Sequence, residues 1–157
     1  MKYSLAKVIV SVVLVASWIA MPQFSFPGDG IIGHCLYPLS HANVFHLAAN
    51  VLCLWMIPCG LHLTTAYVVA VVCSFLPCFL GESTMGFSGV LFAIVGMSWG
   101  KVKKFRDMLW KNKYWLVIPM FIPHVNALLH IWCLLGGWIV GRIWQDKILP
   151  QWTKDWL

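Results

Sequence analysis

The sequence predicts an all-α membrane protein: six transmembrane helices packed as one bundle, with both chain termini on the cytoplasmic side. Three observations predict it. First, 61% of the 157 residues are hydrophobic and only 10% are charged, and the mean hydropathy is +0.80. Soluble domains sit near ~45–50% apolar and ~25% charged. Second, the apolar residues gather into six runs, at about 3–21, 42–58, 61–80, 86–100, 114–123 and 127–144. Third, the positive charges keep to one side. The stretch KVKKFRDMLWKNK (101–113) holds six of the eleven Lys and Arg residues. If every run spans, this loop and both termini share one face. That face collects all eleven cations, and the other holds only Asp29 and Glu82. Basic loops stay in the cytoplasm, so the charge asymmetry sets the orientation. The net charge of +6 therefore reports topology and implies no nucleic-acid partner.

The first run opens with Lys2 and Lys7 ahead of its main apolar part, as a secretion signal does, but it is long for an h-region and no A-x-A site follows it. The first and third runs match the ~20 residues a ~30 Å hydrocarbon layer requires. The second and sixth are nearly long enough. The fourth and fifth are short, as is tolerated where neighbouring helices cover the ends. The fifth, YWLVIPMFIP, carries Pro119 and Pro123. No linker or low-complexity stretch divides the chain, so residues 1–157 read as one domain. Of the six cysteines (Cys35, Cys53, Cys59, Cys73, Cys78, Cys133), five lie in or beside apolar runs without CxxC spacing, which makes them small hydrophobic packers.

In this topology the second, fourth and sixth runs all enter from the outer face. His41, His46 and Asn50 then share a depth with Ser88 and His130. Polar side chains at membrane depth are costly and mark a site. Serine is a weak nucleophile until a base takes its proton, and His130 stands at matching depth on a different helix. His46 and Asn50, four apart on one helix face, can donate to a developing oxyanion together with the Ser88 amide. His41 points off that face and braces a loop. Gly89, Ala93, Gly96 and Gly100 on the fourth run, and Cys133, Gly137 and Gly141 on the sixth, supply the small faces that let two helices approach.

HANVFHLAAN (41–50) reads H-x4-H-x3-N, GFSG (86–89) reads G-x-S-G, and HIWCLLGG (130–137) places a glycine seven residues after a histidine. In that order, on the second, fourth and sixth runs, these motifs resemble the rhomboid intramembrane serine proteases. The resemblance spans about residues 37–141. It implies a rhomboid-like six-span fold and hydrolysis of peptide bonds in transmembrane segments of other membrane proteins, single-pass or multi-pass, near the outer face. It makes Ser88 the nucleophile and His130 the base. His46, Asn50 and the Ser88 N–H form the oxyanion hole, with His41, Gly86, Gly89 and Gly137 in support. It also implies substrate entry between the second and fifth helices, contact with the lipid bilayer, and residence as a multi-pass protein of a bacterial cytoplasmic membrane. Two features depart from the family. Cys133 replaces a glycine common three residues after the histidine, and the segment 22–40 lacks a Trp-Arg pair.

The alternative is an inactive relative that binds transmembrane segments as a scaffold or quality-control adaptor. Retention of both Ser88 and His130 argues against it. A small transporter or channel needs polar groups along a through-path, and here they cluster at one level. No H-E-x-x-H exists for a zinc enzyme. The acids Asp29, Glu82, Asp107, Asp146 and Asp155 all lie in expected loops or tails, so no aspartyl pair, metal or organic cofactor is implied.

Overall fold

The computed structural model describes residues 2–57, 63–76, 83–99, 106–107, 110–111, 113–114 and 125–143. They form six α-helices: α1 (Lys2–Ala20), α2 (Gly30–Leu36), α3 (Val44–Met56), α4 (Leu63–Ser74), α5 (Ser88–Trp99) and α6 (Ala127–Ile143). A short 3-10 turn, Tyr37–Leu39, follows α2 directly.

The centre of the bundle is α5. Every residue from Gly89 to Met97 is buried, as expected of a helix that is apolar all round. Its closest neighbour is α6, and glycines set the spacing. A Cβ on Gly96 would collide with the Leu134 carbonyl, and one on Gly137 with the Ala93 carbonyl. A Cβ on Gly141 would stand 2.7 Å from the Met97 carbonyl oxygen. Gly96 on α5, with Gly137 and Gly141 one turn apart on α6, thus brings the two backbones into contact. On the other side, α4 buries Ala66, Val69, Ala70 and Cys73 against the same core.

α1 meets α3 through a polar buckle. The buried Lys7 ammonium donates to the Trp55 carbonyl at 3.2 Å and also to the Ile57 carbonyl. These carbonyls close the C-terminal turn of α3, where a cation complements the helix dipole. Ser11 Oγ donates to the Lys7 carbonyl at 2.8 Å and accepts from Trp55 Nε1 at 3.2 Å.

The segment 22–40 is a folded brace and not a loose loop. Phe26 and Thr84 form an antiparallel bridge, with reciprocal backbone hydrogen bonds of 3.1 and 2.9 Å. The Phe26 ring lies edge-on to Tyr37 and stacks on His34, which also stacks on Phe75.

Two sequence expectations are corrected. Among the described residues no helix is long and apolar enough to cross a membrane, so the six-transmembrane-helix rhomboid-like bundle does not hold. The placement as a multi-pass integral protein of the bacterial cytoplasmic membrane loses its basis with it. The physical reason is that apolar runs overstate helix length. The run 42–58 contains the N-cap Asn43 and stops helically at Met56, and Gly86 and Phe87 belong to a turn before α5. α3, which has described residues on both sides, has 13 residues and reaches about 20 Å at ~1.5 Å per residue, against ~30 Å of hydrocarbon. Over the described residues α4 and α5 cover 12 residues each and α6 covers 17. α1 has 19 residues, but its charge-free part begins only after Lys7. Residues 115–123 of the fifth run (with Pro119 and Pro123) and most of the basic stretch 101–113 lie outside the described residues, as do Cys59, Cys78, Glu82, Lys147 and Lys154.

Candidate functional site

The site is built around the turn that leads into α5. Gly86 has φ +120°, a conformation that L side chains rarely adopt, and its N–H donates to the Tyr37 carbonyl at 2.8 Å. The space is closed as well. A Cβ on Gly86 would lie 2.7 Å from His46 Nε2 and 3.6 Å from Asn50 Nδ2. Glycine here lets α3 bring its two polar residues up to the turn that carries Ser88. Gly89 plays the matching part on the inner side, where a Cβ would lie 2.8 Å from the Tyr37 hydroxyl. That hydroxyl donates to the Ala70 carbonyl at 3.1 Å.

Ser88 is the first residue of α5 and half-buried. Its Oγ lies 2.8 Å from Nε2 of His130, on the first turn of α6. With the imidazole proton on Nδ1, Nε2 accepts from the hydroxyl, which is the arrangement a general base requires. The ring is 3% exposed and stacks on Phe92 at a centroid distance of 4.3 Å and an angle of 5°. Its Nδ1 has no hydrogen-bond partner among the described residues. The pair is therefore a dyad with an aromatic ring in place of a third polar member. Burial, and secondarily the neighbouring His46, lowers the His130 pKa from 6.5 to about 4. The imidazole is thus neutral at ordinary pH, with its Nε2 lone pair free to accept a proton.

His46 and Asn50 project from α3. Asn43 caps that helix by accepting from the His46 N–H at 2.9 Å. Asn50 is buried and donates one amide N–H to the His46 carbonyl at 3.1 Å. Its second N–H remains a donor. Burial lowers the His46 pKa, so this ring too is neutral and able to donate. His41 stands behind it. The two rings meet edge to face at 5.3 Å, and the His41 N–H donates to Gln23 Oε1 at 2.7 Å. Burial, and secondarily His46, lowers the His41 pKa to about 4.

The fold thus brings Ser88, His130, His46, Asn50, Gly86 and Gly89 together, with His41 one layer behind. Gly137 lies further down the α5–α6 contact, away from the hydroxyl. Cys133 fills its position fully buried, 3.4 Å from where a Gly89 Cβ would be. The neighbouring Cys73 thiol donates to the Trp132 carbonyl at 3.4 Å. Sequence reasoning missed Phe92, Tyr37, Thr84 and Asn126. Phe92 is four residues after Ser88 and so shares its helix face. Asn126 stands immediately before the run 127–144, the position of an N-cap, and its Oδ1 accepts from the Leu129 N–H at 3.0 Å.

Chemically, the arrangement offers a hydroxyl nucleophile, a neutral base in contact with it, and donors at a helix N-terminus beside it. Comparison with known proteins gives no family: no family model, no curated protein and no solved structure matches the chain.

Proposed function

We propose that the chain is a serine-type endopeptidase that cuts transmembrane segments of other membrane proteins through a Ser88–His130 dyad. The observation that carries this reading is the 2.8 Å contact between Ser88 Oγ and His130 Nε2, made by residues 42 apart in sequence. The order of H-x4-H-x3-N, G-x-S-G and a following histidine, which resembles the rhomboid proteases, supports it.

His130 takes the Ser88 proton as the oxygen attacks the scissile carbonyl. The tetrahedral oxyanion is met by the Ser88 N–H, the His46 ring and the free amide N–H of Asn50. The imidazolium then gives its proton to the leaving amine, and water, deprotonated by the same ring, releases the acyl group from Ser88. A helical peptide bond must be unwound before attack, so substrates with helix-weakening small residues at the cut are favoured. Nothing in these steps requires the enzyme's own helices to cross a bilayer.

The test is cleavage of a detergent-solubilised substrate carrying one transmembrane segment. Wild type cleaves it, and Ser88→Ala and His130→Ala do not. Equal cleavage by wild type and Ser88→Ala contradicts the proposal. His62 and His124, outside the described residues, are expected to be dispensable.

A further inference from the structure

We propose that Asn126 and Thr84 form a latch that positions His130 against Ser88, which makes Asn126 a positioning residue for the reaction proposed above. The inference rests on that reading for its kinetic consequence and on the hydrogen bonds alone for its geometry.

Asn126 Nδ2 donates to Thr84 Oγ1 at 2.9 Å. This bond joins residues 42 apart, and so does the Ser88–His130 contact. Thr84 precedes Ser88 by four residues, and Asn126 precedes His130 by four. The two contacts are therefore successive rungs between the same two stretches of chain. Asn126 works through three groups at once. While Nδ2 holds Thr84, Oδ1 accepts from the Leu129 N–H at 3.0 Å and the carbonyl accepts from the His130 N–H at 3.3 Å. Thr84 is anchored in turn by its two backbone bonds to Phe26. The tie thus runs from the brace 22–40, through Thr84 and Asn126, to the backbone that bears the base.

Such a latch answers a need that the dyad itself leaves open. The His130 ring has Phe92 against one face and a bond at Nε2, but no partner on Nδ1 among the described residues. The usual third residue that fixes an imidazole's position is replaced by a fixed backbone. A displacement of about 1 Å between base and nucleophile is enough to cost ~10²-fold in rate. Only a side chain with an acceptor and a donor at this length can cap α6 and reach Thr84 together. Serine at 126 keeps the cap and loses the reach.

A plain helix cap and a latch are separated by changing Thr84, which leaves the cap intact. The experiment measures kcat and KM for a transmembrane substrate, and the 15N resonance of His130 Nε2, in wild type, Thr84→Val, Thr84→Ser, Asn126→Ser and Ser88→Ala. The latch predicts that Thr84→Val lowers kcat about tenfold or more at unchanged KM. It also predicts that the Nε2 resonance moves toward its Ser88→Ala position. Thr84→Ser, which keeps the hydroxyl, retains both wild-type values. Asn126→Ser resembles Thr84→Val, and combining the two changes adds nothing further, as two halves of one contact require. A wild-type Nε2 resonance in both Thr84→Val and Asn126→Ser overturns the latch. If wild type shows no Ser88-dependent cleavage while the resonance moves in Thr84→Val, the peptidase reading fails and the latch stands.

Discussion

The two ends of the α5–α6 pair are held together in opposite ways. At the site end, the contacts are polar and directional: Ser88 to His130 at 2.8 Å, and Thr84 to Asn126 at 2.9 Å. At the far end, Gly96, Gly137 and Gly141 lie directly on backbone carbonyls and atoms of the facing helix. Apolar close contact fixes how far apart the axes lie, and hydrogen bonds then fix which atoms face each other. A two-residue site needs both, because among the described residues no third polar group holds the imidazole.

The largest expected effect comes from breaking the far end. Gly137→Leu forces side-chain volume against the Ala93 carbonyl, where the backbone cannot yield cheaply. Overpacking of this kind costs ~1–3 kcal/mol or more, and it separates the helices that bear the dyad. Thermal unfolding is expected several degrees lower, with cleavage lost. A Gly137→Leu protein of wild-type stability and activity would remove spacing from the explanation.

At the site end, rate falls without stability. Asn50→Ala removes the amide proposed as an oxyanion donor and is expected to lower kcat by ~10²–10³, with a modest change in melting temperature from the freed His46 carbonyl. Phe92→Leu keeps apolar bulk but loses the flat surface beneath the imidazole. A loss of about tenfold in kcat is expected from the looser ring, by the same positional argument. Unchanged kcat in either variant would show that the corresponding contact is packing only.

The smallest effect to detect is in pH dependence. His130 has its pKa lowered to about 4 in the fold, against 6.5 ordinarily. The base is therefore available above that value, and the rate is expected to hold from neutral pH downward and fall as pH passes about 4. Stability has the same sign. The unfolded chain binds protons at His41 and His130 that the folded chain refuses, so the fold weakens as pH drops below about 6.5 toward 4. A rate profile titrating near 6.5 would contradict the buried, neutral base.

The grouping of the candidate residues was more legible in the sequence than the fold. Ser88, His46, Asn50 and His130 announce themselves because polar groups are rare in so apolar a chain, and their spacing places them on helix faces. Helix length was not legible. An apolar run counts its caps and turns: Asn43 and Ile57 cap α3 inside its run, and Gly86 and Phe87 form a turn before α5 begins at Ser88. The brace 22–40 was also hidden. Its order comes from the pairing of Phe26 with Thr84 and the packing of Tyr37 on Gly89, contacts between residues far apart that no local pattern encodes. Phe92 and Asn126 lay between these cases, carrying i+4 and N-cap signals that acquire meaning only once α5 and α6 are seen side by side.

The most direct test of the dyad is covalent. A fluorophosphonate probe, which reacts with hydroxyls activated by a base, is incubated with the full chain, and the modified residue is located by mass spectrometry. Modification of Ser88 alone, abolished in His130→Ala, is the predicted result. No modification of Ser88, or equal modification with and without the His130 imidazole, would contradict an activated nucleophile at this position.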